Sequence, residues 1–397
     1  MRSVARDLLA AGLAAVVAGW AWQLAAQGQA GRGLALSLLL GAAFGLVLQR
    51  SRFCFFCVTR DFLERRDARG VLGIVVALVV GTLGYHAVMG AFLPVPAEGR
   101  LPAGAHIGPL SPVLAAGAFV FGIGMTLSGS CISAHLYRLG EGASGSVVAL
   151  LGALVGFGLG FLSWHALYVA AVRDAPVLWL PHAVGYGGSL AIQLAVLGGI
   201  AALLWRLHRA PADAGAAAPR TLRALVFGTR WPAALGGALV GAIGVVSYFR
   251  SAPLGVTAEL GSIARTSADR LGLLPARLEG LDGFAGCATL VKETLLSPNG
   301  LFVAGLVLAS GASALLAGDF RLARLGPRDA LAKFLGGAMM GWGAMVSLGC
   351  TVGVLLSGTM AGALSGWVFG AFCLLGVWTG LRARRPDSFA AVATGLG

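Results

Sequence analysis

Charged side chains are absent from long parts of this chain. Residues 8–27, 70–92, 142–163, 183–205, 231–249, 294–318 and 334–381 contain no Asp, Glu, Lys or Arg. A helix rises about 1.5 Å per residue, so roughly 20 apolar residues cross the hydrocarbon core of a bilayer. The 48 uncharged residues from Phe334 to Leu381 therefore allow two crossings. The pattern predicts an all-α polytopic membrane protein. Its ten crossings are expected near residues 8–27, 33–49, 71–92, 112–129, 143–163, 186–205, 231–249, 300–318, 330–348 and 361–381.

Composition agrees: 57% of the 397 residues are apolar and 11% are charged, against about 25% charged in an average soluble domain. In a soluble protein the net charge of +13 would point to nucleic acid. Here it has another source, because basic residues collect in loops that stay in the cytoplasm. With the N-terminus inside, 21 of the 29 basic residues fall in cytoplasmic segments. Five more lie in one long outer loop from Arg250 to Lys292, balanced by Glu259, Asp269, Glu279, Asp282 and Glu293. This bias predicts both termini on the cytoplasmic side, and the membrane is expected to be a bacterial inner membrane. The first thirty residues resemble a signal peptide, with Arg2 and Arg6 ahead of an apolar stretch, but twenty apolar residues are long for one and a retained helix is expected. One soluble linker is visible within residues 206–230, rich in Ala, Pro and Arg.

The linker lies near the middle of a repeat. Gly117, Gly122, Gly124, Ser128 and Cys131 return without a gap as Gly336, Gly341, Gly343, Ser347 and Cys350, 219 residues later. Upstream, Arg50-Ser51 and Val58-Thr59 are matched by Arg250-Ser251 and Val256-Thr257. Five predicted crossings separate the copies, so the second is inserted upside down. Two inverted halves follow, residues 1–185 and 186–397, a plan common among secondary transporters. The segments Ile132–Leu139 and Thr351–Ser357 are too short to cross and read as re-entrant half-helices. Their free N–H groups would meet an anion where Cys131 and Cys350 sit. Packing alone would explain the glycines, though matched thiols at matched breaks add a soft, weakly donating group.

The stretch QRSRFCFFCVTRDFLERRD, residues 49–67, places Arg50, Arg52 and Arg60 around Cys54 and Cys57. It fits an interfacial amphipathic helix, or the inner mouth of a pathway whose arginines draw anions inward. The Cys54-x-x-Cys57 pair could be redox-active, but no second such pair and no His cluster completes a metal site. No cofactor is expected. Cys287, Lys292 and Glu293 lie in the outer loop as candidate entrance residues, and Cys373 reads as core.

Four segments together resemble the YeeE/YedE membrane proteins: QRSRFCF at 49–55, GSCISAHLYRLGEG at 129–142, LSPNGLFVAGL at 296–306 and SLGCTVGVLLSG at 347–358. The resemblance implies an inverted-repeat importer of thiosulfate or a similar sulfur compound, and not an enzyme. By motif position its three pathway cysteines are Cys54, Cys131 and Cys350, passing the substrate along by S–H···S hydrogen bonds. Ser128 and Ser347 stand beside two of them. A small cytosolic sulfurtransferase is the partner the resemblance implies. Two alternatives stay open: a thiol enzyme that takes sulfur covalently as a persulfide, and a channel for another small anion.

Overall fold

The computed structural model describes residues 2–97, 100–102, 104–209, 221, 224–275, 278–281, 291 and 297–384. In these residues thirteen α-helices follow one another: α1 (Arg2–Ala25), α2 (Gly28–Ser51), α3 (Phe55–Arg65), α4 (Arg69–Phe92), α5 (Pro112–Ser128), α6 (Ile132–Gly140), α7 (Ser144–Leu167), α8 (Leu180–Leu207), α9 (Ala233–Arg250), α10 (Val256–Arg270), α11 (Pro298–Ala317), α12 (Pro327–Val346) and α13 (Leu364–Ala383). A wider, π-helical turn, Thr351–Gly358, lies between the last two. Each of the ten expected crossings has its helix. Among the described residues nine spans are long and apolar enough to cross a membrane, counting α3 with α2 and α6 with α5. A tenth is α12 with Thr351–Gly358, bent by 41° at the break.

Two expectations change. The stretch from Arg250 to Lys292 is not simply a loop, because it contains α10. That helix buries Val256, Leu260, Ala264 and Ala268, one apolar row at every fourth position. Its interleaved charges keep it out of any hydropathy run, yet it packs on α7 and α11. The crossing expected at 186–205 begins earlier, at Leu180, because Gly185 (φ 70°, ψ 171°) lets the chain kink and stay helical on both sides. Of the linker, residues 210–220 and 222–223 lie outside the described residues, as do Cys287, Lys292 and Glu293.

Glycine sets how closely the spans approach. A Cβ on Gly124 would lie 2.7 Å from the Gly336 carbonyl oxygen, and one on Gly343 would lie 2.5 Å from that of Gly117. Pairing 117 with 343 and 124 with 336 means that α5 and α12 run antiparallel. The remaining repeat glycines also match, Gly122 against Cys373 of α13 and Gly341 against Ala153 of α7. Contacts between whole helices exchange in the same way. As α2 packs on α11, α9 packs on α4; as α5 packs on α13, α12 packs on α7; and as α1 packs on α11, α8 packs on α4. In lipid the hydrophobic effect does not drive helices together, so close backbone approach of this kind supplies the cohesion.

Candidate functional site

Among the described residues, three breaks before short helices share one backbone recipe. Arg52 (φ 52°), Gly129 (φ 81°) and Leu348 (φ 59°) each adopt the left-handed conformation. Two residues later Cys54, Cys131 and Cys350 are each extended and cap the N-terminus of the short helix that follows. The left-handed residue ends the first helix; the extended cysteine starts the next, its carbonyl accepting from Val58, His135 or Val354 N–H at 3.0, 3.0 and 2.8 Å. The repeated serines brace two of these breaks alike. Ser128 donates to the Ser130 carbonyl at 2.9 Å; Ser347 donates to the Gly343 carbonyl one turn back and lies 3.2 Å from that of Gly349. Their hydroxyls are thus used to hold the backbone.

All three capping thiols are buried, at 1%, 0% and 1% exposure, and the described cysteines are all unpaired thiols. Cys54 Sγ accepts from Cys57 N–H at 3.5 Å, and its thiol interacts with those of Cys57 and Cys131. Cys131 Sγ lies 3.2 Å from the Ser133 hydroxyl. The structure therefore brings the thiols of Cys57, Cys54 and Cys131 together. Cys350 has a neighbour of its own, the Thr257 hydroxyl. Cys373 is packed inside α13, 3% exposed, near Cys350.

The arginines divide by role. Arg138, on α6, donates from Nη2 to Cys57 Sγ at 3.3 Å. Arg60 is one turn away, bound to Asp61 at 2.9 Å and lying over the Phe56 ring. Arg52 turns from the thiols to Glu141 at 3.2 Å and Asp319 at 4.0 Å. There it joins a polar cluster in which buried Gln49 donates to both carboxylates, at 3.1 and 3.0 Å, and accepts from Ser313. Arg50 and Arg230 also reach Asp319, at 3.5 and 3.0 Å. Three guanidinium groups against two carboxylates leave this end of the molecule positive. Lys333 and Arg384 add to it, capping the last carbonyls of α5 at Ser128 and Leu127.

Arg138 and Thr257 are the site residues that sequence reasoning missed. Arg138 had a signal, an arginine inside a short apolar segment, which marks function more often than packing. Thr257 had its place in the repeat, opposite Thr59, but nothing in the chain pairs it with Cys350.

Residues 50–379 match the family described as Sulphur transport. The chain belongs to that family. Its similarity to the thiosulfate transporter TsuA of Escherichia coli is 28% identity over 381 residues, covering 90% of this chain and 97% of the relative. For the thiosulfate transporter TsuA of Spirochaeta thermophila the figures are 31% over 362 residues, 86% and 96%. The probable transporter YedE of Escherichia coli is 26% identical over 164 residues, 41% of this chain and 38% of that protein. Membership of the sulphur transport family agrees with the resemblance carried by the four motifs, and with a multi-pass helical membrane protein.

Proposed function

We propose that this protein imports thiosulfate, or a sulfur oxyanion closely similar to it, across a bacterial inner membrane, with both termini in the cytoplasm. The observation that carries the reading is the shared recipe of the three breaks, which sets a thiol at the N-terminus of a short helix each time. Thiosulfate is a dianion with hard sulfonate oxygens and one soft terminal sulfur. The N–H ends of the short helices and Arg138 suit the first; Cys350, Cys131 and Cys54 suit the second. Taking a dianion out of water is very costly, so partial compensation by dipoles and weak donors is needed. Binding must also stay shallow enough for release, which thiols in series provide and an array of lysines would not.

Two inverted halves, residues 1–185 and 186–397, account for the exchange of helix contacts and for the antiparallel α5–α12 seam. The positive cluster around Gln49 would then sit at the cytoplasmic mouth, where a small sulfurtransferase can accept the product. The test is uptake of labelled thiosulfate by cells or proteoliposomes. Cys131→Ala and Cys350→Ala should each abolish it while leaving membrane insertion intact; normal uptake in both variants rejects the relay.

One observation favours a second reading. Cys57 is partly exposed and held by Arg138. Attack of the Cys57 thiolate on the terminal sulfur of thiosulfate would break its S–S bond, release sulfite and leave a persulfide on the purified protein, visible by mass spectrometry after substrate exposure. A relay leaves no adduct.

A further inference from the structure

At the end of α5 remote from Cys131, a narrow cleft opens between the N-termini of α5 and α13 and the break after α12. His106, Ser111, Ser347, Leu348, Val354 and Ser365 are among the residues that line it. Three features mark it as a place for an oxyanion. The positive ends of two long helices, α5 and α13, meet there, with Ser111 capping the first and Ser365 in the first turn of the second. The Ser111 and Ser365 oxygens accept from the Leu114 and Gly108 N–H groups, at 3.1 and 3.3 Å. That leaves each O–H free to donate elsewhere. The third feature is His106, 4% exposed, whose Nδ1 has no hydrogen-bond partner. A buried imidazole nitrogen without a partner is costly, and in a cleft it is open to a polar group that enters.

We propose that this cleft is the first binding site of the transported sulfur oxyanion, the His106 ring and the Ser111 and Ser365 hydroxyls holding its oxygens. Its terminal sulfur then points past Leu348 toward Cys350. The site rests on the transport reading above and adds to it a point of selection outside the thiols. Neutral donors suit an entry site, because they compensate an anion through dipoles without the deep well that a fixed cation would create. Under the proposed orientation the cleft faces outward, so the sequence of contacts is oxygens first at His106, sulfur next at Cys350.

The test is uptake of labelled thiosulfate by proteoliposomes holding the full chain, together with calorimetric titration of thiosulfate into the solubilised protein. His106→Ala and Ser365→Ala should each raise KM and Kd about tenfold or more, the loss expected of one hydrogen bond to a charged group. Vmax should stay within about twofold, and His106→Asn, which keeps a donor, should recover part of the affinity. If His106→Ala fails to give monodisperse protein, Ser365→Ala and His106→Asn carry the comparison. KM and Kd unchanged in the variants, with normal wild-type uptake, overturn the site alone. Wild-type protein that binds thiosulfate but does not take it up overturns the transport reading; weaker binding by the variants then still upholds the site.

Discussion

Burial sets the chemistry of His106. It lies outside the spanning helices, and desolvation pushes its pKa from the ordinary 6.5 down to about 4. The ring is therefore neutral at physiological pH and offers one donor and one acceptor. The same shift makes stability depend on pH. Between pH 6.5 and 4 the unfolded chain binds a proton at this position that the folded chain refuses, so acid favours unfolding throughout that window. The stabilisation is complete above pH 6.5, falls by about 3 kcal/mol as the pH drops to about 4, and then levels off. Thermal melts of the solubilised protein from pH 7.5 to 4 should show this slope, and His106→Gln should flatten it.

At the scale of an element, the broken helices explain why cysteine stands where it does. Serine, threonine and aspartate are the better N-caps, since their oxygens accept strongly from the first N–H groups. Sulfur accepts weakly, so the short helices that start at Cys54, Cys131 and Cys350 keep part of their positive end for another partner. Under the proposed function, capping is sacrificed where the anion would pass. The turn before each cysteine carries its own cost. Left-handed backbone is disfavoured by about 1–2 kcal/mol for a residue with a Cβ, yet Arg52 and Leu348 adopt it; of the three only Gly129 escapes it. Gly129 has open space around its Cα, with nothing within 4 Å of an added Cβ. Gly129→Ala should therefore destabilise by that conformational term alone, about 1–2 kcal/mol, measurable as a lower melting temperature with normal insertion.

The whole molecule turns on the seam between α5 and α12. These helices carry the repeated glycines, run antiparallel and end at Cys131 and Cys350 at opposite ends. The seam thus fixes the direction from one thiol to the other, and anything that widens it disturbs both breaks. Gly124→Val inserts three carbons where a single Cβ already lies 2.7 Å from the Gly336 carbonyl oxygen. Overpacking of this kind costs about 1–3 kcal/mol or more. The variant should melt lower and lose uptake, whereas Gly158→Val, at a position with open space on α7, should do neither.

The chain by itself determined its spans, because the bilayer demands apolar length and leaves few ways to supply it. It also determined the matched breaks at Cys131 and Cys350, since the glycine–serine–cysteine spacing repeats without a gap. Hydropathy said nothing of α10, whose buried row is interrupted by charge, nor of Thr257 as the partner of Cys350. The fold alone decided that Arg52 belongs to Glu141 and Asp319 while Arg138 belongs to Cys57. Charge in sequence shows where arginines lie along the chain, but which acceptor each one meets depends on helices brought together from distant segments. The same holds for the cleft at His106, which exists only where the ends of α5, α12 and α13 meet.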